Sequence, residues 1–390
     1  MTYYNEEEIK KVGGKLMYYK NYGDINDQKI KVSAIGMGTM RYNDDDVKAG
    51  RFEKCAEVAL YAHSKGINYF DTAPFYCSDK SEEITGIALS QLKRDSFFVS
   101  SKTNVGTVAS IDGENAKIVN ADTFRRRLEQ SLKRIKVDYL DFYHLWCLLD
   151  INSYERQHEQ LYKFFEQAKS EGLIKNIVFS AHMQGDDLEK AVNDGHYKGM
   201  LIGYNALNYR FRQSGILAAN KKGMGVVVMN PLGGGLIPQN PKEFEYLTKN
   251  TDLTVAQAAL RFVASHKEIT ITLAGIENKS QVDDAVKSVE NLQEFTIEEI
   301  NEKYKNDGLA LNNLCTSCGY CNHCPVSIPI PKYMDAYNVK ILKGDVVDRL
   351  EGHWDIKAID AKKCIKCGKC ETLCTQHLNI MERLKEISDI

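Results

Sequence analysis

Between Lys31 and about Glu290, short apolar and β-branched runs alternate with longer stretches whose apolar positions recur at helical spacing. The runs are "KVSAIGMGT" (31–39), "INYFDTA" (67–73), "FFVSSKT" (97–103), "YLDFYHLWC" (139–147), "IKNIVFSAH" (174–182), "GMLIGYNA" (199–206), "MGVVVMNPL" (224–232) and "ITITLAGI" (269–276). Between them lie amphipathic segments such as "RFEKCAEVALYAHSK" and "LTVAQAALRFVASHK". Eight strand-then-helix units over about 260 residues predict an α/β fold of the (β/α)8 TIM barrel type. An open doubly wound sheet would carry a Gly-x-Gly-x-x-Gly turn after its first strand. The dense glycine run here, Gly233 to Gly235, follows the seventh strand instead. Residues Met1 to Ile30 are too polar for a barrel strand and are expected to form a short hairpin across the barrel floor.

The pattern changes near Asp307. Of eleven cysteines, three are scattered (Cys55, Cys77, Cys147) and eight follow Leu314. The reading is therefore two domains: a barrel over 1–307 and a small, mostly helical module over 308–390. A formal charge of −2 without Lys/Arg clusters argues against a nucleic-acid surface. The start, "MTYYNEEEIKK", has neither a signal-peptide nor an anchor pattern, and no apolar stretch is long enough to span a membrane. A cytoplasmic location follows as the expectation, and there dense cysteine patterns mean metal more often than disulfides.

The eight thiols fall into two groups, Cys315, Cys318, Cys321, Cys324 and Cys364, Cys367, Cys370, Cys374. Three cysteines spaced by two residues and then a fourth suit a [4Fe–4S] cubane, because a tight loop must reach three irons. Structural zinc, which also takes four thiolates, is the alternative. The pattern resembles the two-cluster bacterial ferredoxins, in which the fourth cysteine of each group serves the other cluster. That resemblance implies two [4Fe–4S] clusters, one on Cys315, Cys318, Cys321 and Cys374, the other on Cys364, Cys367, Cys370 and Cys324. Two features depart from it: two residues rather than three precede Cys324, and Thr375 stands where proline often follows.

In such barrels the chemistry sits where strands end. The ionisable groups there are Asp71, Tyr76, Lys102 and His144, from consecutive strands or their loops. Taken singly, each has an ordinary structural role: a loop cap, a packing aromatic, a solvated strand end and a core histidine. As a set they are chemically coherent. A tyrosine titrates near pH 10, and a neighbouring cation, Lys102 held by Asp71, is expected to lower that value.

"FDTAPFY", "SEEITGIAL", "SSKT" and "DFYHLW" together resemble the aldo-keto reductase family over roughly residues 31 to 290. The family's Asp, Tyr, Lys, His tetrad falls on Asp71, Tyr76, Lys102 and His144 without a substitution. The resemblance implies reversible hydride transfer between NADPH or NADH and an aldehyde or ketone, with Tyr76 protonating the developing alkoxide and His144 orienting the carbonyl. It implies a cofactor site at Gly38 and Thr39 in "GMGTM", Ser180 and His182, Asn230, Pro231 and Leu232 in "MNPLGGG", and Gly275, Lys279 and Gln281 in "GIENKSQ". The chain departs from the family where Ala181, Leu201 and Met229 replace the groups that hold the nicotinamide.

Two functions are open at this stage. One is a carbonyl-reducing or alcohol-oxidising enzyme acting on a small molecule, whose clusters exchange electrons with an external redox partner. The other is a redox-responsive regulatory subunit that binds a nicotinamide and uses its clusters for structure or sensing. Specificity is expected in a loop, "CLLDINSYERQHEQ", with Trp146, Cys147, Tyr209 and Phe211 lining a partly apolar pocket.

Overall fold

An antiparallel hairpin of β1 (Ile9–Val12) and β2 (Lys15–Asn21), continued by β3 (Lys31–Ser33), precedes the parallel strands. These are β4 (Ile35–Gly38), β5 (Tyr69–Asp71), β6 (Phe98–Thr103), β7 (Leu140–Leu148), β8 (Ile174–Ala181), β9 (Gly199–Gly203), β10 (Gly225–Met229) and β11 (Ile271–Gly275). All eight pair in sequence order and close where β11 meets β4, so the alternation of the sequence is the topology of the barrel. The computed structural model describes residues 9–12, 15–23, 30–104, 120–183, 185–308 and 311–390.

Alternate residues of each strand point inward. Tyr69, Phe142, Val178, Leu201, Val227, Ile271 and Leu273 form the interior, joined by Tyr22 and, from β3, Val32. Tyr22 explains two glycines: a Cβ on Gly199 would come within 2.4 Å of its hydroxyl, and one on Gly225 within 2.2 Å of its ring. Beside it, Lys20 buries its ammonium against the carbonyls of Ala264, His266 and Ile269 at 2.8 to 2.9 Å and pairs with Glu294 at 2.7 Å. The polar N-terminal segment thus closes the barrel floor with one aromatic plug and one satisfied cation.

Helices cover the outside. Phe52–Ser64 and Val255–Ala264 fall where the apolar spacing predicts them. The stretch "CLLDINSYERQHEQ" differs from its expectation. Cys147 and Leu148 still belong to β7, and Asp150 caps a helix, Ile151–Ser170, through a reciprocal Asp150–Ser153 box. It is wall and not loop. The connection after β6, residues 105–119, lies outside the described residues.

The chain divides into two compact units, Met1–Leu232 with Ile237–Gly308, and Gly233–Leu236 with Leu309–Ile390. In the second, helices Ile330–Ile341 and Ile380–Ser388 and a short turn, Lys369–Thr372, pack Tyr333, Met334, Leu350, Leu378, Ile380, Leu384 and Ile387 around the cysteines. No strand occurs among its described residues.

Candidate active site and thiol centres

Strand alternation puts Asp71 two residues beyond inward Tyr69, and His144 two beyond Phe142; Ser100 and Lys102 follow inward-packed Phe98 in the same way. Register sets Asp71 level with Ser100, and Lys102 level with His144. The groups therefore converge where β5 and β6 end, beside the middle of β7: His144, expected at a strand end, is followed by four more strand residues. Lys102 Nζ lies 2.7 Å from Asp71 Oδ2 and donates to the Thr72 carbonyl at 2.8 Å, while Ser100 Oγ donates to Asp71 Oδ1 at 2.7 Å. His144 Nε2 stands 4.0 Å from Asp71 Oδ1, buried and without a hydrogen-bond partner among the described residues.

Tyr76 comes from the loop after β5. Its ring lies under the Lys102 ammonium, 4.8 Å from Nζ to the centroid, and meets Trp146 edge-on at 6.3 Å. Around it Phe75, Cys77, Ser78 and Asp79 all have φ between 53° and 74°, a run of left-handed backbone that surroundings must impose. Arg134 imposes it from outside, gripping both Asp79 oxygens at 2.9 and 3.1 Å, and Cys77 Sγ reaches the Thr39 carbonyl at 3.4 Å.

The electrostatics depart from the expectation for Tyr76. Burial, with Asp71 adding to it, pushes its hydroxyl well above the ordinary tyrosine range. Burial outweighs the lowering expected from Lys102, whose ammonium pairs with Asp71 and lies over the ring. Burial also lowers the Lys102 ammonium and drives the His144 imidazole down to about 3. Near neutral pH the mouth therefore holds a protonated phenol and a neutral imidazole.

Of the residues assigned to the cofactor, Thr39 is buried and bonds the Asp71 carbonyl at 2.9 Å and Ser81 Oγ at 2.7 Å, so its hydroxyl is committed to the loop. Gly38 ends β4 level with Asp71. Ser180 pairs in register with Leu201, and His182 follows β8. Asn230, at φ 62°, opens the turn after β10, followed by Pro231 and Leu232, and its carbonyl accepts from Asn205. Gly275 ends β11. Lys279 and Gln281 sit at the start of helix Lys279–Ser288, where Lys279 pairs with Glu57 at 3.1 Å and Gln281 accepts from the Glu277 N–H at 2.7 Å. Of the expected pocket residues, Trp146 joins the site, Tyr209 packs on Phe262 instead, and Phe211 is exposed.

Two buried groups escaped the sequence reading. Glu82, in "SEEITGIAL", accepts from Ser101 at 2.7 Å, and burial raises its carboxyl. Arg212 is 2% exposed and donates through Nη1 to the Gly203 carbonyl, while its Nε has no partner among the described residues. Burial lowers it to about 10, and no ion pair offsets it among the described residues. A ligand oxygen would complete such a group. The signal was the pair of arginines in "NYRFRQ" after β9, but neither shows its burial in sequence.

In the second unit the eight thiols separate into two sets of four. Cys315, Cys318, Cys321 and Cys374 line one space of about 320 Å³ with Pro331, Met334, Leu378 and Ile380. Cys324, Cys364, Cys367 and Cys370 line another of about 330 Å³ with Val326, Ile328, Ile330 and Leu384. Each set takes its fourth member from the other sequence group. Asn338, buried on helix Ile330–Ile341, locks the Cys315 backbone in both directions at 2.8 and 2.9 Å. Thr375 turns its hydroxyl to Cys318 Sγ at 3.5 Å, and the N–H groups of Ser317 and Leu378 approach Cys315 and Cys374 sulfurs at 3.4 Å. Burial drives the Cys315, Cys321, Cys370 and Cys374 thiols up, Cys370 to about 11. Thiolates are therefore disfavoured unless a cationic centre arrives to hold them, and the donor sets fit such a centre.

The model of the aldo/keto reductase family matches residues 34–305. The chain is an aldo/keto reductase. The reductase is thus an NAD(P)-dependent oxidoreductase by family, and its tail matches a 4Fe-4S dicluster domain over residues 314–379, which makes nicotinamide and iron–sulfur its cofactors. It is 27% identical over 217 residues to the NADH-specific methylglyoxal reductase of Escherichia coli, covering 53% of this chain and 66% of that one. It is 24% identical over 294 residues to L-galactose dehydrogenase of Arabidopsis thaliana, covering 69% and 88%. Among solved structures, the holo aldo-keto reductase AKR11C1 of Bacillus halodurans superposes with a TM-score of 0.61 at 22% identity over 76% of this chain and 98% of its own. One from Klebsiella pneumoniae in complex with NADPH gives 0.57 at 20%, over 75% and 96%. Among the described residues of the reductase, no helix is long and apolar enough to cross a membrane.

Proposed function

We propose that the barrel reduces a small aldehyde or ketone at the mouth formed by Asp71, Tyr76, Lys102 and His144. A nicotinamide, when bound, supplies the hydride; Ser180, His182 and the turn Asn230–Leu232 would hold it, with the unpaired Nε of Arg212 available to one of its oxygens. Tyr76, protonated at neutral pH, donates its proton to the carbonyl oxygen as negative charge develops there. The neutral His144 donates from Nε2 to the same oxygen and orients it. Lys102, held by Asp71 and lying over the phenol ring, offsets the charge left on the tyrosine.

The observation that carries this reading is the buried Lys102–Asp71 pair against the Tyr76 ring, with a partnerless histidine nitrogen 4.0 Å away. In the tail we infer two [4Fe–4S] clusters, on Cys315, Cys318, Cys321, Cys374 and on Cys324, Cys364, Cys367, Cys370. Protein made without oxygen is expected to contain about eight irons and eight sulfides per chain; two zincs and no sulfide would overturn the cluster reading. Steady-state assays with NADH and NADPH against a carbonyl panel that includes methylglyoxal and sugar-derived aldehydes test the barrel. Absence of turnover with every carbonyl would return the chain to the regulatory reading.

A further inference from the structure

The two thiol centres are unequally shielded. Around the first, Cys315, Cys321 and Cys374 are buried and Cys318 is partly so; around the second, Cys370 alone is buried and Cys367 is exposed. The segment carrying three of the second centre's cysteines, "KKCIKCGKC", interleaves them with Lys362, Lys363, Lys366 and Lys369, and all four side chains are exposed. Lys357 adds a fifth exposed cation. Only two carboxylates stand among residues 357–371: Asp360, 2.9 Å from Lys363, and Glu371, which accepts the Met381 N–H at 2.9 Å. Five lysines against two acids leave a local excess of three positive charges in a chain whose net charge is −2, which corrects the reading that the chain has no lysine cluster.

At the middle of these cations, between Cys364 and Cys367, Ile365 is 61% exposed, and Ile359 nearby in sequence is 52% exposed. Solvated lysines alone would need no apolar centre. An exposed apolar side chain flanked in sequence by an excess of exposed lysines, in the segment that carries the less shielded thiol centre, has the anatomy of a transient docking face: the charged rim steers the partner and the small apolar centre seats it.

We propose that this face docks an acidic, single-electron carrier protein, and that electrons enter or leave the tail at the second centre. The inference rests on the two-cluster reading above. Each encounter moves one electron: a reduced carrier loses one as the second centre gains one, or an oxidised carrier gains one as the centre loses it. The contact belongs to the small, salt-sensitive class that redox partners use, burying under about 1,200 Å² in total. Its rate is set by charge more than by area.

The test uses the full chain, made anaerobically and checked for iron and sulfide. The second-order rate of cluster reduction by an acidic ferredoxin is followed by stopped-flow absorbance, against a basic cytochrome-type donor and dithionite. The acidic carrier is expected to react at least about tenfold faster at 20 mM than at 300 mM salt, with the basic donor slower throughout. Lys362→Glu, Lys363→Glu, Lys366→Glu and Lys369→Glu together are expected to slow the acidic carrier by about 100-fold, with dithionite reduction and carbonyl turnover unchanged. Ile365→Asp is expected to weaken docking while leaving the salt dependence in place. A salt-independent rate in the wild-type chain, or charge reversal without effect, would overturn the proposal. So would preferential binding of a DNA duplex over the acidic protein at the same ionic strength. Iron and sulfide analysis separates this failure from that of the cluster reading, since a chain without clusters shows no bleaching with dithionite.

Discussion

The barrel mouth and the cysteine tail both gather reactive groups in apolar surroundings, yet they balance them in opposite ways. In the mouth a buried cation, Lys102, faces a buried anion, Asp71, at 2.7 Å, and Ser100 and Thr72 complete the set. The chain supplies both signs. In the tail burial pushes four thiols toward protonation, and the Arg383 guanidinium offsets this at Cys374 only in part. Most of the charge that balances them has to come from outside. A preformed site and a site completed by its metal therefore stand in one polypeptide, and perturbations should separate them.

The largest separation is expected on metal removal. Anaerobic chelation of iron is expected to raise proteolysis within residues 311–390 by about 100-fold or more while the barrel melts at its original temperature, because folding and metal binding are coupled only in the tail. Limited digestion followed by mass spectrometry reads both; parallel loss of the barrel would break the comparison. Next comes the chemistry: Tyr76→Phe removes one oxygen and is expected to lower carbonyl turnover by about 100- to 10,000-fold with nicotinamide binding and tail iron unchanged. Wild-type turnover would remove Tyr76 from its role.

Lys102→Met leaves the Asp71 carboxylate buried without its cation, and is expected to destabilise the barrel by about 3–5 kcal/mol. Adding Asp71→Asn is expected to recover most of that loss in denaturant melts without restoring activity. If the single and double variants melt alike, the pair does not balance itself. The smallest effect concerns pH. His144, depressed to about 3, and His266, depressed to about 4, bind protons in the unfolded chain before they do in the folded one. Their contribution is complete above the unfolded pKa near 6.5 and is lost as pH falls below it, at no more than about 1.4 kcal/mol per pH unit for each histidine. His144→Asn is expected to flatten the acid limb of the stability profile; an unchanged limb would show that other groups set it.

The features legible in the sequence were those with a period or a spacing. Eight apolar runs name eight strands because a strand buried on both faces must be apolar along its length. The tripled Cys-x-x-Cys spacing names a metal centre for a similar local reason. What stayed hidden depends on partners far along the chain. Arg134 and Asp79, 55 residues apart, clamp the Tyr76 loop. Arg212 lies only nine residues from Gly203, but what it meets there is a backbone carbonyl, which no side-chain pattern records. The direction of the Tyr76 shift was not legible because burial sets it, and burial is not written in sequence. By contrast, the wall formed by Asp150 and its helix was written locally, as Asp-x-x-Ser before a helical pattern, and was readable.

The crossing of Cys324 and Cys374 bears on how such a tail is inherited. Either half of it, cut between Pro325 and Lys363, keeps three ligands of one set and the orphaned fourth of the other. No half is a smaller working version of the whole. On the proposed ligation, a deletion, a splice or a protease nick with loss of one piece is expected to take both centres together, so that the tail is gained or lost as a single unit while the barrel varies strand by strand.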